Sequence, residues 1–174
     1  DEKAEIINLR VSGNAKLNEG GVGAAIAAYN RGTIRGCKVD SFRMEVDKYA
    51  TAGGIAAYNY GNIEGCAARM SVERKGNGGV MQTFFGGMCA KNLDGRVKNA
   101  VTDITFTAFK ETEIFDNYDE YEGGNYSIGA AVGLNQGETE GLVSAYGDAY
   151  LSDRFILEFK SAEELNDSFK FPNK

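Results

Sequence analysis

Apolar positions along this chain come in short bursts rather than long stripes, and the bursts return with nearly the same spelling. Gly20 to Cys37 reads GGVGAAIAAYNRGTIRGC; the chain then reads AGGIAAYNYGNIEGC from Ala52, GGMCAKNLDGRVKNA from Gly86 and IGAAVGLNQGETEGL from Ile128. Each copy runs from a Gly-rich start through a short apolar stretch to Asn, Gly and a branched residue. Aligned on Asn30, Asn59, Asn92 and Asn135, they put Ile6, Ile34, Ile63, Val97 and Thr139 in one column and Leu9, Cys37, Cys66, Ala100 and Leu142 in a second. Asn8, Gly36, Gly65, Asn99 and Gly141 fall between the columns, where the backbone is free to bend. The Asn spacings are 29, 33 and 43 residues.

Internal periods of this size belong to stacked architectures, in which one unit cannot bury its apolar face alone. Helical units do not fit: the i, i+3, i+4 pattern is not sustained, and each interior Gly costs a helix about 1 kcal/mol. Strands do. Val22 to Tyr29, Thr33 to Val39 and Phe42 to Tyr49 are expected strands, the last with Phe42, Met44 and Val46 on one side. Turns are expected at Asn30 to Gly32, at Asp40-Ser41 and at Ala50 to Gly54. Three strands and three corners describe one coil of a parallel β-helix, with equivalent residues stacked at roughly 4.8 Å. A propeller blade, at about 40 residues, is too long for the shorter units.

The predicted fold is therefore all-β: a right-handed parallel β-solenoid of about five coils, its handedness taken from the chirality of parallel connections. It is read as a single domain over 1–174, with a partial repeat at 1–19, then 20–51, 52–85, 86–126 and 127–160, and a C-terminal cap at 161–174. The lengthening period comes from insertions at one corner, KGNGG from Lys75 and DNYDEYEGGN from Asp116. Ser161 followed by Glu164 is a capping-box pattern that predicts a short helix over Ala162 to Asp167.

The unit resembles the GLUG motif, whose members read GG-apolar-small-small-Tyr-Asn-any-Gly-any-Ile-any-any-Cys. The matching residues are Gly53-Gly54-Ile55-Ala56-Ala57-Tyr58-Asn59-Tyr60-Gly61-Asn62-Ile63 through Cys66, and Gly23 to Cys37. The likeness extends from about Ile6 to Gly147, and SAEELNDSF is similar to segments that close such arrays. Ala replaces the second Gly of the family's GLVGYN core, and the fourth copy carries Ala131 in the apolar slot. The resemblance implies a β-solenoid segment of a large bacterial surface or secreted protein, adhesin-like or a noncatalytic part of a surface protease. It implies an extracellular or cell-surface location and no particular ligand.

Composition narrows the chemistry. A net charge of -6 and a pI near 4.8 oppose a nucleic acid or anionic membrane as main partner. The chain contains no His, which removes the commonest general base and zinc ligand. No apolar run is long enough to span a bilayer, so membrane insertion is not expected. The start at Asp1 suggests a mature or excised piece of a larger polypeptide. No cofactor is expected.

The Asn column is read as a structural ladder, each amide capping its own turn and bonding the backbone of the next coil. Ile34, Ile63, Val97, Cys37 and Cys66 are read as its apolar companions. Stacking brings Cys37 and Cys66 within disulfide reach, but parallel side chains suit a disulfide poorly, so three free buried thiols are expected, with Cys89 opposite Ala27 and Ala56. The insertion with Asp116, Asn117, Asp119, Glu120 and Glu122 has oxygen ligands enough for calcium but not the EF-hand order. With Tyr118, Tyr121 and Tyr126 it is the expected contact surface for glycans or proteins. Asp40, Asp47, Asp103 and Glu138 occupy different repeat positions and form no acid-base pair. The expected function is thus a noncatalytic structural or adhesive module. The alternatives are a carbohydrate-active β-helix or a substrate-recognition segment of a surface protease.

Overall fold

The computed structural model describes residues 2–74, 83–107, 127–129 and 131–146, and among these every regular element is a strand. The chain opens with β1 (Glu5–Ile7) and β2 (Arg10–Leu17). It continues through β3 (Val22–Ala24), β4 (Ala27–Asn30), β5 (Thr33–Arg35) and β6 (Lys38–Val46), then β7 (Thr51–Gly53), β8 (Ala56–Asn59), β9 (Asn62–Glu64) and β10 (Ala67–Arg74). β11 (Phe84–Gly86), β12 (Cys89–Asn92) and β13 (Arg96–Thr107) follow. The last described strands are β14 (Ser127–Gly129), β15 (Val132–Asn135) and β16 (Glu138–Tyr146).

Each pass of the chain lies parallel to the one before it. β3, β7, β11 and β14 make one four-stranded sheet, and β4, β8, β12 and β15 make another. The other eight strands form one curled sheet in the order β1-β5-β9-β13-β10-β6-β2, with β16 also on β13. The two arms of that sheet join because β13 is long: Arg96 to Lys98 pair with β9, and Val101 to Thr107 pair with β10. The curl has a local cause. Asn8, Gly36, Gly65, Asn99 and Gly141 all have φ between 50° and 63°, so every pass turns at the same point through a left-handed residue. Asn and Gly are the residues that take this conformation with least strain.

The registers bring like residues together. Ile6, Ile34, Ile63, Val97 and Thr139 are successive neighbours across the curled sheet, and Ala100 lies beside Leu142. Ala27, Ala56, Cys89 and Val132 form a column across the β4 sheet. Ile34, Ile63 and Val97 are at most 1% exposed, and burying one such side chain is worth roughly 1.5–3 kcal/mol. Ile55, Met88 and Phe85 belong to the same buried core.

Several expected boundaries differ. The single strand expected over Val22 to Tyr29 is two strands, broken at Ala25-Ile26. The equivalent corner one pass later is so tight that a Cβ on Gly53 would lie 1.7 Å from the Ala56 carbonyl oxygen. The strand expected over Thr33 to Val39 is likewise broken, by the left-handed turn at Gly36. Each full pass thus has more straight segments than the three expected. Asp40-Ser41 is not a turn. It lies within β6, where Ser41, at φ 54°, is an extra residue against both neighbouring strands. This bulge resets the alternation, so that Val39 and then Phe42, Met44 and Val46 all face inward. The corner expected at Ala50 to Gly54 falls earlier, on Lys48 and on Tyr49 at φ 61°, and Thr51 to Gly53 are β7. The insertions around Lys75 and Asp116, the cap at 161–174 and its helix lie outside the described residues.

Candidate functional site

The Asn column stands at the corner that follows the strands of the β4 sheet. Asn30 Nδ2 donates to Asn59 Oδ1 at 2.7 Å, Asn59 Nδ2 to Asn92 Oδ1 at 2.8 Å, and Asn92 Nδ2 to Asn135 Oδ1 at 2.8 Å. The same nitrogens also donate across the pass to the carbonyls of Asn62 (3.2 Å), Arg96 (3.4 Å) and Glu138 (3.3 Å). At each end of the row the oxygen caps its own turn, accepting from the backbone N–H of Gly32 at 3.1 Å and of Gly137 at 3.3 Å. The links thus run amide to amide as well as amide to backbone. Asn59 and Asn92 are 0% exposed, so these bonds form where an unmet donor or acceptor is costly. Gly95 fits the corner because a Cβ there would come within 2.4 Å of Asn59 Nδ2.

The third pass differs from its neighbours at this corner. Asp94, at φ 60°, is one residue more between Asn92 and the Arg96 strand than separates Asn59 from Asn62 or Asn135 from Glu138. Arg31, Tyr60, Asp94, Arg96, Gln136 and Glu138 line a shallow open cavity of about 870 Å³ outside it.

All three cysteines are free and buried. Cys37 Sγ donates to the Ile6 and Arg35 carbonyls at 3.5 Å, and Cys66 Sγ to those of Glu64 and Ile34 at 3.4 and 3.6 Å. Burial pushes the Cys66 thiol up to about 12 and raises that of Cys89 as well. These are poor nucleophiles, held as small apolar groups.

Carboxylates on the outer face of the curled sheet are tied to cations on the adjacent pass. Arg10 meets Asp40 at 2.9 Å, Arg69 meets Asp103 at 3.0 Å, Lys98 meets Glu140 at 2.5 Å, Arg96 meets Glu138, and Arg43 meets Glu73. Desolvation works to raise the Asp40 pKa, but the Arg10 hydrogen bond and the Lys38 and Arg10 charges outweigh it and hold it below the ordinary range. The Lys98 hydrogen bond and charge lower that of Glu140. Asp40, Asp103 and Glu138 therefore serve in separate cross-pass pairs.

One surface was not anticipated from the sequence. The side chain before each ladder Asn forms its own column, Tyr29, Tyr58, Lys91 and Leu134. The Tyr29 and Tyr58 rings stack with centroids 5.0 Å apart and planes 7° from parallel. The Lys91 ammonium lies 5.4 Å from the Tyr58 ring and 3.5 Å from that of Phe84. Tyr58, Phe84, Lys91 and Leu134, together with Val22 and Thr51, line a groove of about 510 Å³ between the two four-stranded sheets. The available signal was the paired AYN at residues 28–30 and 57–59, with a large residue alternating against an inward amide. The expected contact residues Asp116, Tyr118, Asp119, Tyr121 and Tyr126 lie outside the described residues.

No protein-family model matches the chain, and no curated protein or solved structure matches it.

Proposed function

We propose that the chain is a right-handed β-solenoid serving as a noncatalytic structural or adhesive module of a bacterial cell-surface or secreted protein. The observation that carries this reading is the repeated tie between passes. The same amide link recurs along the Asn row, and the cross-pass ion pairs repeat the principle on the outer face. Among the described residues, Asp40, Glu73, Asp103, Glu138 and Glu140 each pair with a cation of the adjacent pass, which favours cohesion between neighbours as their role. The resemblance of the sequence to GLUG repeats supplies the surface setting and the expectation that the module belongs to a longer polypeptide.

Its partners, on this reading, are glycans or proteins of a host or bacterial surface. The stacked tyrosines and Lys91 offer rigid area with polar tips, the surface chemistry suited to such contacts. The protein is to be screened on immobilised glycans and extracellular-matrix proteins, with a variant lacking residues 116–126 alongside, while a polysaccharide panel is scored for chain cleavage. Retention on a surface ligand with every polysaccharide left intact is the expected result. Depolymerisation of any of them would refute the noncatalytic reading.

A further inference from the structure

Cations on the outer face of the curled sheet meet carboxylates of the adjacent pass, whereas Lys91 meets rings. Among the described residues, no carboxylate pairs with its ammonium. The groove that Lys91 lines contains no Asp or Glu either, in a chain that has 25 of them. It is thus a cationic slot on an acidic molecule. Val22, Thr51 and Phe84 are successive neighbours across one sheet, and Tyr58, Lys91 and Leu134 across the other. The groove therefore runs along the stack over four passes, or about 14 Å at the strand spacing. In the second column Lys91 follows Tyr58, whose ring already has Tyr29 stacked on it. The rings hold the ammonium in place before any ligand arrives, which lowers the ordering cost of binding.

We infer that this groove binds an oligosaccharide ending in a sialic acid, its carboxylate accepting from Lys91 Nζ and its N-acetyl methyl lying against Leu93 and Leu134. Three features select that ligand. The groove offers one cation, and the net charge of -6 repels a chain charged at every residue, so a single carboxylate among neutral sugars fits best. The strands on either side spend their main-chain groups on each other, pass to pass, and leave no backbone partner for an extended peptide. Tyr49 and Gln136 also line the groove, and their hydroxyl and amide both donate and accept, as sugar hydroxyls require. Finally, Leu134 is the register partner of Lys91 and Leu93 lines the same groove. This apolar ground suits an acetamide methyl, where a uronic acid would present only hydroxyls. A volume of about 510 Å³ is in the range of small-ligand sites.

This site rests on the reading of the module as one that contacts surface glycans. Sialyllactose, lactose, a glucuronate-ended trisaccharide and an acidic hexapeptide are titrated by calorimetry against the intact chain. The first variant is Lys91→Met, which keeps an apolar stem over the rings and removes the charge. The second is Leu134→Glu, which supplies Lys91 with a carboxylate of the protein's own. Sialyllactose is expected to bind the intact chain saturably, the other three probes at least about tenfold more weakly, and each variant to weaken sialyllactose at least about tenfold. Circular dichroism checks that the variants keep their strands; if neither does, the comparison of probes on the intact chain decides. Absence of saturable sialyllactose binding, equal binding by a folded variant, or equal binding of any other probe overturns the site. Retention on other surface ligands in the broader screen would then leave the adhesive module standing, whereas depolymerisation there would remove the module reading itself.

Discussion

Replacing Asn59 by Ala tests the central tie of the structure. The substitution removes the bond accepted from Asn30 at 2.7 Å and those donated to Asn92 at 2.8 Å and to the Arg96 carbonyl at 3.4 Å. Asn30 Nδ2 keeps the Asn62 carbonyl at 3.2 Å, whereas Asn92 Oδ1 loses its cross-pass donor at a fully buried position. At about 1 kcal/mol per bond, with a further contribution for the stranded acceptor, the expected loss is about 3–5 kcal/mol. For a chain of this length that corresponds to a fall in Tm of roughly 6–20 °C. Chemical denaturation followed by circular dichroism measures it. A loss below about 1 kcal/mol would mean that the ladder is an accompaniment to packing rather than a support. Asn59→Asp adds a pH signature. An Asp here faces the Arg96 carbonyl and Asn92 Oδ1, both acceptors, which raises its folded pKa above the unfolded value of about 3.9. The unfolded chain then releases its proton first, so the variant is most stable below that pH and weakens as pH rises toward the folded pKa.

Gly95→Ala is expected to cost about 2–4 kcal/mol, because its Cβ would fall 2.4 Å from Asn59 Nδ2 and 2.7 Å from Asn92 Oδ1; a melt unchanged from the parent would show that the corner yields. Gly65→Ala at φ 59° meets no atom within 4 Å and is expected to cost only about 1–2 kcal/mol of backbone strain, so the two glycines should rank clearly apart in the same melt. Thiol alkylation at about pH 8 should leave Cys66 and Cys89 untouched in the folded protein and modify all three cysteines in denaturant, since the folded thiols hold their protons. Mass spectrometry reads the result, and rapid labelling of Cys66 in the native state would contradict its burial. Asp40→Asn should lower stability by less than about 1 kcal/mol near neutrality. The lowered Asp40 pKa makes that contribution present above the unfolded pKa and lost as pH falls through the folded one, so variant and parent should converge in acid.

Neighbour relations were far more legible in the sequence than corners. Asn30, Asn59, Asn92 and Asn135 could be aligned because the same amide recurs at one offset, and the alignment carried Ile34 to Ile63 and Val97 with it. The bend at Gly36 and Gly65 was visible as a column of residues tolerant of left-handed φ. The break at Ala25-Ile26 was not, since an unbroken run of small apolar residues carries no mark of where the strand is interrupted. Ser41 was read as a turn because its polar neighbours mimic one; only pairing on both sides reveals a bulge. The tyrosine column is hidden in the sequence by the amide beside it, which repeats in all four copies while Tyr repeats in only two. The outward role of Tyr29 and Tyr58 depends on how two sheets meet, which sequence alternation alone does not specify.

The irregular corners acquire a purpose when folding is considered. A ladder built from identical amides cannot tell one pass from another: Asn30 would make the same bond with Asn92 as with Asn59. A chain that skipped a pass would satisfy the row just as well, and the apolar columns, filled by similar side chains, would object only mildly. Beside the unequal spacings of 29, 33 and 43 residues, what distinguishes the levels is their defects. The extra residue at Asp94 gives one corner a length its neighbours lack, and the extra residue at Ser41 gives one strand a kink that its partners accommodate on either side. These irregularities work as addresses. They break the degeneracy of an otherwise self-similar stack and steer each pass to its own level.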